Sequence, residues 1–226
     1  MKRKYLKNIY YRHAHCSERQ FRTFLAHFCF DDTSARIARE SGLKLRATLT
    51  LLGKLRSRIY AWCEEEERMS GEVEVDESYF GARRIRGKRG RGASGKIPVV
   101  GLLKRGGKVY TQVVTNCSRE QLLPIIQGKI LSQSTVFTDA WRSYDSLILH
   151  GYKHYRIHHH ENEFARGKNH VNGIESFWSF TKARLLRMKG VRKDKFLVHL
   201  KESEFRWNYR KQMYKEILKR LRKNPL

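Results

Sequence analysis

The stretch "EVEVDESYF", residues 72–80, decides the fold. Val73, Val75 and Tyr79 recur with the period of two that marks a strand. Asp76 stands in mid-strand, where aspartate is disfavoured by propensity. Before this stretch the periodicity is helical. After it come "PVVGLLKRGGKVYTQVVT" (98–115), read as two strands turning at Gly106-Gly107, and "SREQLLPIIQGKIL" (118–131), an amphipathic helix despite Pro124. Then follow the strand "STVFTD" (134–139), a helix over "AWRSYDSLIL" (140–149), and a strand in "GYKHYRIHHH" (151–160). A polar loop leads to the helix containing "HVNGIESFWSF" (170–180), and a basic C-terminal helix contains "KESEFRWNYRKQMYKEILKRLRK" (201–223).

Three antiparallel strands followed by alternating helices and strands predict an α/β fold: a ribonuclease H-like mixed sheet flanked by helices. A small all-α, helix-turn-helix-like segment precedes it. There Ser17 and Gln20 form a capping-box pattern ahead of Phe21, Phe24, Leu25 and Phe28. A short helix, a turn at Gly42 and a longer basic helix follow. In the longer helix Leu45, Leu49, Leu52, Ile59 and Trp62 are the expected buried stripe, leaving Lys44, Arg46, Thr48 and Lys54 elsewhere on the surface, the first three as candidate DNA contacts. A plain helical hairpin would show the same pattern. The acidic run at 64–71 reads as a solvated helix end. The expected division is a helical DNA-binding region at 1–66 and a catalytic domain with its basic C-terminal helix at 67–226.

The 226 residues carry a net charge of +26, with 40% hydrophobic residues and three prolines. Such a chain can bury a core, and its charge calls for a polyanionic partner, nucleic acid before a membrane surface or ribosome. No apolar run follows the basic N-terminus, so neither a membrane span nor a secretory signal is expected. Cys16, Cys29, Cys63 and Cys117 form no CxxC pair, which argues against a zinc ribbon and fits reduced thiols in a cytoplasm. Residues 82–96 hold Arg83, Arg84, Arg86, Lys88, Arg89, Arg91 and Lys96 with no acid, a segment suited to phosphates rather than base edges.

Three carboxylates carry the candidate chemistry. Asp76 is in the first strand, Asp139 ends a later strand where the chain turns, and Glu175 lies beside the apolar face of a helix. The separations are 139 − 76 = 63 and 175 − 139 = 36. Converging, they would hold two hard divalent cations through oxygen, the arrangement for two-metal phosphoryl transfer. Taken singly, Asp76 is one acid among Glu72, Glu74 and Glu77, Asp139 is a helix N-cap, and Glu175 is an ion-pair partner. The histidines 154 and 158–160 are a weak zinc signal, since strand alternation splits neighbours between faces.

The blocks "VEVDESYFGARRIRGKRGRG" (73–92), "VFTDAWRSYDSL" (136–147) and "HVNGIESFWSFTKARL" (170–185) resemble the DDE transposase domain of the IS1595 insertion-sequence family, nearest its ISXO2-like branch. The resemblance spans about residues 71–210, including "GLLKRGGKVY" and "LKESEFRWNYR". It implies a bacterial transposase that binds the terminal inverted repeats of its element, cuts at the ends and joins 3′-hydroxyls to target DNA. By the same implication Asp76, Asp139 and Glu175 form the metal-binding triad, taking two Mg²⁺ with Mn²⁺ as substitute. His170, Asn172 and Lys182 are then supporting residues able to meet phosphate or a metal-bound water. Synapsis of two DNA ends implies a homodimer or larger assembly, in the cytoplasm with the nucleoid. Many relatives carry an N-terminal zinc ribbon that this chain lacks. A ribonuclease H-like nuclease without strand transfer and a non-enzymatic DNA-binding regulator remain the alternatives.

Overall fold

The computed structural model describes residues 8–12, 16–81, 95–139, 148–157 and 171–226. The chain forms two compact units: residues 1–64 with 209–226, and residues 65–208. The division expected from the sequence falls after residue 66 and leaves the C-terminal helix with the sheet. The contacts assign that helix to the first unit instead.

The first unit contains α1 (Glu18–Cys29), α2 (Ser34–Ser41), α3 (Leu45–Glu64) and α7 (Met213–Lys223). The predicted capping box is present: Ser17 Oγ accepts the Gln20 N–H, and the Gln20 side chain accepts the Ser17 N–H. Helix α2 starts at the N-cap Thr33 and ends at Gly42, whose φ of 66° is the left-handed conformation that glycine adopts without penalty. Helix α3 follows at once, completing a helix-turn-helix shape. The buried face of α3 is Thr48, Leu51, Leu52, Leu55, Ile59, Trp62 and Cys63. Leu45 and Leu49, expected in the core, are 49% and 51% exposed. Leu52, Ile59 and Trp62 are buried as expected, and the first turns differ: Thr48 takes a core place, with its hydroxyl donating to the Lys44 carbonyl at 3.2 Å. Helix α7 buries Met213, Ile217 and Leu221. The segment 10–12 pairs with Leu226, Arg12 N–H donating to the Leu226 carbonyl and Leu226 N–H to that of Tyr10.

The second unit is built on a five-stranded sheet in the order β3-β2-β1-β4-β5. The strands are β1 (Glu72–Phe80), β2 (Ile97–Lys104), β3 (Val109–Val113), β4 (Thr135–Asp139) and β5 (Lys153–Ile157). The first three are antiparallel, and β1–β4 and β4–β5 are parallel. This is the ribonuclease H-like mixed sheet expected from the sequence. The β2–β3 hairpin turns at Gly106, φ 67°, as its Gly-Gly pair predicts.

Both faces of the sheet are covered. On one, Val73, Val75, Val100, Leu102 and Val136 pack with Leu122, Ile125 and Ile126 of α4 (Arg119–Lys129). On the other, Phe80, Val99, Leu103 and Phe137 pack with Ile174, Phe177 and Trp178 of α5 (Asn172–Arg187) and Phe196 and Leu200 of α6 (Lys193–Asn208). The basic C-terminal helix expected over 201–223 is two helices, broken at 209–212. The break follows Asn208, a weak helix former whose amide is committed elsewhere: it exchanges two hydrogen bonds with the backbone of Val109, both 2.8 Å. Of the helix expected at 140–149, a short 3-10 turn at Ile148–His150 is described, and residues 140–147 lie outside the described set.

Helix α6 also covers the edge of β3. Besides the Asn208–Val109 pair, the Thr111 N–H donates to Glu204 Oε2 at 2.8 Å, and Lys201 Nζ donates to the Thr111 carbonyl at 2.7 Å. Alternate residues of an edge strand direct their backbone groups outward, and side chains one and two turns apart on α6 meet them. Between α5 and α6, the fully buried Arg184 pairs with Glu202, which also accepts from Arg206 at 2.9 Å.

Candidate active site

Asp76 lies on β1 opposite Gly101 of β2, and β4 pairs with β1 on its other side up to Val75–Thr138. Continuing that parallel register by one residue sets Asp139, at the end of β4, beside Asp76. One carboxylate oxygen from each of Asp76, Glu77 and Asp139 lies within 4.8 Å of the other two, and all three side chains are half-buried. Hard, anionic oxygens at this spacing suit a divalent cation with oxygen preference. Glu175 lies outside this trio, exposed in the first turn of α5.

Electrostatics set Asp76 apart. Burial raises its pKa from 3.8 to about 6, and the charges of Asp139 and Glu175 push the same way. The Glu77 backbone N–H and the Trp178 indole N–H pull against them by hydrogen bonding the carboxylate. The indole bond, Trp178 Nε1 to Asp76 Oδ2, is 3.1 Å. Carboxylates held this close without a cation resist sharing full charge, and a bound cation would relieve that.

The profile of the ISXO2-like transposase domain matches residues 68–208. The chain belongs to this transposase family. It is 45% identical to a transposase-like protein of Haemophilus influenzae over 101 residues, covering 45% of this chain and 81% of that one. It is 30% identical to a protein in transposable element ISH50 of Halobacterium salinarum over 174 residues, covering 70% of this chain and 59% of that relative. Among solved structures it is similar to the Mos1 transposase paired-end complex with left transposon end, at 13% identity and a TM-score of 0.31, covering 91% of this chain and 81% of that one.

In this ISXO2-like transposase the other expected site residues are scattered. Asn172, exposed, opens α5, and Lys182, also exposed, carries its Nζ 5.8 Å from the centroid of the Phe80 ring. His170 lies outside the described residues, as do Arg83, Arg84, Arg86, Lys88, Arg89 and Arg91. Lys96 is half-buried just before β2. In the helical unit Lys44 and Arg46 are exposed at the start of α3, whereas Thr48 is 0% exposed. A DNA contact through Thr48 is therefore withdrawn: its side chain is in the core. Of the histidine cluster only His154 is described. Its Nε2 lies 2.9 Å from Thr138 Oγ1, one residue before Asp139.

Several residues that shape this transposase site escaped the sequence reading. Glu77 was noted only as a neighbour of Asp76, and strand alternation assigns it to the opposite face. A Glu77 carboxylate oxygen nonetheless lies within 4.8 Å of those of Asp76 and Asp139. Glu74 counts in the sequence only as one of the acids around Asp76, yet it is 1% exposed and accepts the Ile174 N–H at 2.9 Å and the Arg105 Nε–H at 3.0 Å. The guanidinium of Arg105 in turn sits 3.7 Å from the Phe137 ring centroid. The available signal for Glu74 was its period-two relation to Asp76.

Proposed function

We propose that this transposase binds the terminal inverted repeats of its element, cleaves DNA at the element ends and joins the exposed 3′-hydroxyls to target DNA. The observation that carries this reading is the juxtaposition of Asp76 and Asp139 on adjacent parallel strands, inside the segment that matches the family. Asp76 and Asp139 would hold divalent cations, Mg²⁺ or Mn²⁺, with Glu175 offered from α5 and Glu77 from the same strand as Asp76. When bound, such ions supply Lewis acidity for activating a water or 3′-hydroxyl and for stabilising the leaving oxygen of a phosphodiester. The carboxylates do their part as anions, so protonation of Asp76 below about pH 6 competes with the cation.

The rest of the chain handles DNA. Lys44 and Arg46 lie where the second helix of a helix-turn-helix meets the major groove. The arginines of 83–91, Lys96 and Lys182 serve the phosphate backbone. Pairing two DNA ends requires two active sites, so the working form is at least a dimer.

The test is cleavage and joining on DNA carrying the element's own ends, with Mg²⁺, with EDTA, and with Asp139→Asn. Metal-dependent joining that the substitution abolishes is the expected result. Cutting without joining would assign a nuclease. Tight binding without chemistry would leave a DNA-binding protein.

A further inference from the structure

Helix α5 is fixed to β1 at two points, and the spacing of those points matches. On the strand, Glu74 and Asp76 are two residues apart on one face, roughly 6.6 Å along the chain. On the helix, Ile174 and Trp178 are four apart, about 6 Å along the axis. Glu74 Oε2 accepts the Ile174 backbone N–H at 2.9 Å, and Asp76 Oδ2 accepts the Trp178 indole N–H at 3.1 Å. Glu175 lies within the turn bracketed by the two.

Two glycines make the approach possible. A Cβ on Gly101, which faces Asp76 across the β1–β2 ladder, would sit 2.5 Å from Trp178 Cζ2. A Cβ on Gly173 would sit 2.8 Å from Glu74 Oε2. The indole therefore lies against bare backbone beside Asp76, and the helix start lies against Glu74. An indole N–H is a neutral donor that never accepts or gives up charge. It can fix the plane of the Asp76 carboxylate while leaving that group's negative charge for a cation, which a lysine or arginine in its place would compensate.

We propose that Glu74 and Trp178 are positioning residues: a two-point clamp that sets the orientation of Asp76 and the register of Glu175 against it. This rests on the reading of Asp76 as a metal ligand. It adds Trp178 and Glu74 as residues that act through the acids rather than on the DNA.

The test is direct Mn²⁺ binding to the full chain, by electron paramagnetic resonance of free Mn²⁺, beside cleavage of element-end DNA and thermal melting. Asp76→Asn comes first: Mn²⁺ binding indifferent to it would overturn the metal-ligand reading itself. With that loss established, Trp178→Phe is expected to weaken Mn²⁺ binding and cleavage about ten- to hundredfold, the usual size for a residue that orients a ligand. Binding of element-end DNA should be unchanged. The double variant Gly101→Ala/Trp178→Leu separates clamp from packing, since the added methyl occupies room vacated by the ring once the flexible end of Ile174, whose Cδ1 is 2.9 Å from it, shifts aside. It should regain melting temperature relative to Trp178→Leu without regaining Mn²⁺ affinity. Recovery of both, or wild-type Mn²⁺ affinity in Trp178→Phe, would overturn the role of Trp178. Glu74→Gln, which keeps an acceptor for the Ile174 N–H, should retain more Mn²⁺ affinity than Glu74→Ala, and equal loss would overturn the role of Glu74.

Discussion

Asp76 is a residue kept at a cost to the fold. Its carboxyl titrates near 6 in the folded chain and near 4 when unfolded. Between those values the folded chain holds a proton that the unfolded chain has released, so stability falls as pH rises through the window. At neutral pH the deficit is up to about 3 kcal/mol. Asp76→Asn should therefore stabilise the metal-free protein by about that amount at pH 7 and by little at pH 4, as read from urea denaturation of both proteins. Added Mg²⁺ should narrow the gap by stabilising wild type alone.

At the scale of elements, α3 separates exposed positions from a buried one. Lys44→Ala with Arg46→Ala should weaken binding to element-end DNA about tenfold or more and flatten its salt dependence. Thr48→Val should leave binding unchanged, because its side chain is in the core; fluorescence anisotropy would measure both. Leu52, Ile59 and Trp62 of α3 were legible as core, but Leu45 and Leu49 look the same, and nothing local reveals that Thr48 is buried in their stead. The succession of strands and helices along the chain and the hairpin at Gly106 were legible because periodicity and turn chemistry are local signals. Asp76 and Asp139 stood out because an acid in mid-strand and an acid at a strand end each break an apolar pattern. Glu74, Arg184 and Glu202 were not, because a charged residue in sequence looks the same whether solvated or buried against a partner far along the chain. The role of α6 on β3 was equally hidden. Asn208→Ala should cost about 1–3 kcal/mol by leaving the Val109 N–H and carbonyl bare, measurable as a lower urea midpoint.

At the scale of the whole molecule, both ends of the chain build one unit. Met213, Ile217 and Leu221 of α7 are each 7% exposed or less, and full burial of such side chains contributes about 1.5–3 kcal/mol apiece. Removing residues 213–226 should unfold the helical unit, whose total stability is of the same order. The sheet unit should persist, and loss of the Trp62 fluorescence environment beside retained strand signal in circular dichroism would show it. The covering of β3 has a consequence in time. Its partners arrive 90, 93 and 99 residues later in the chain. At ordinary rates of synthesis the strand thus waits on the order of 5–20 s before α6 has been made. Throughout that interval its outer backbone groups are available to any other unfinished chain, including a second copy on the same message. Overproduction at high temperature should therefore trap this protein in inclusion bodies through β3, and less frequent initiation, which spaces nascent chains apart without lengthening the wait, should relieve it.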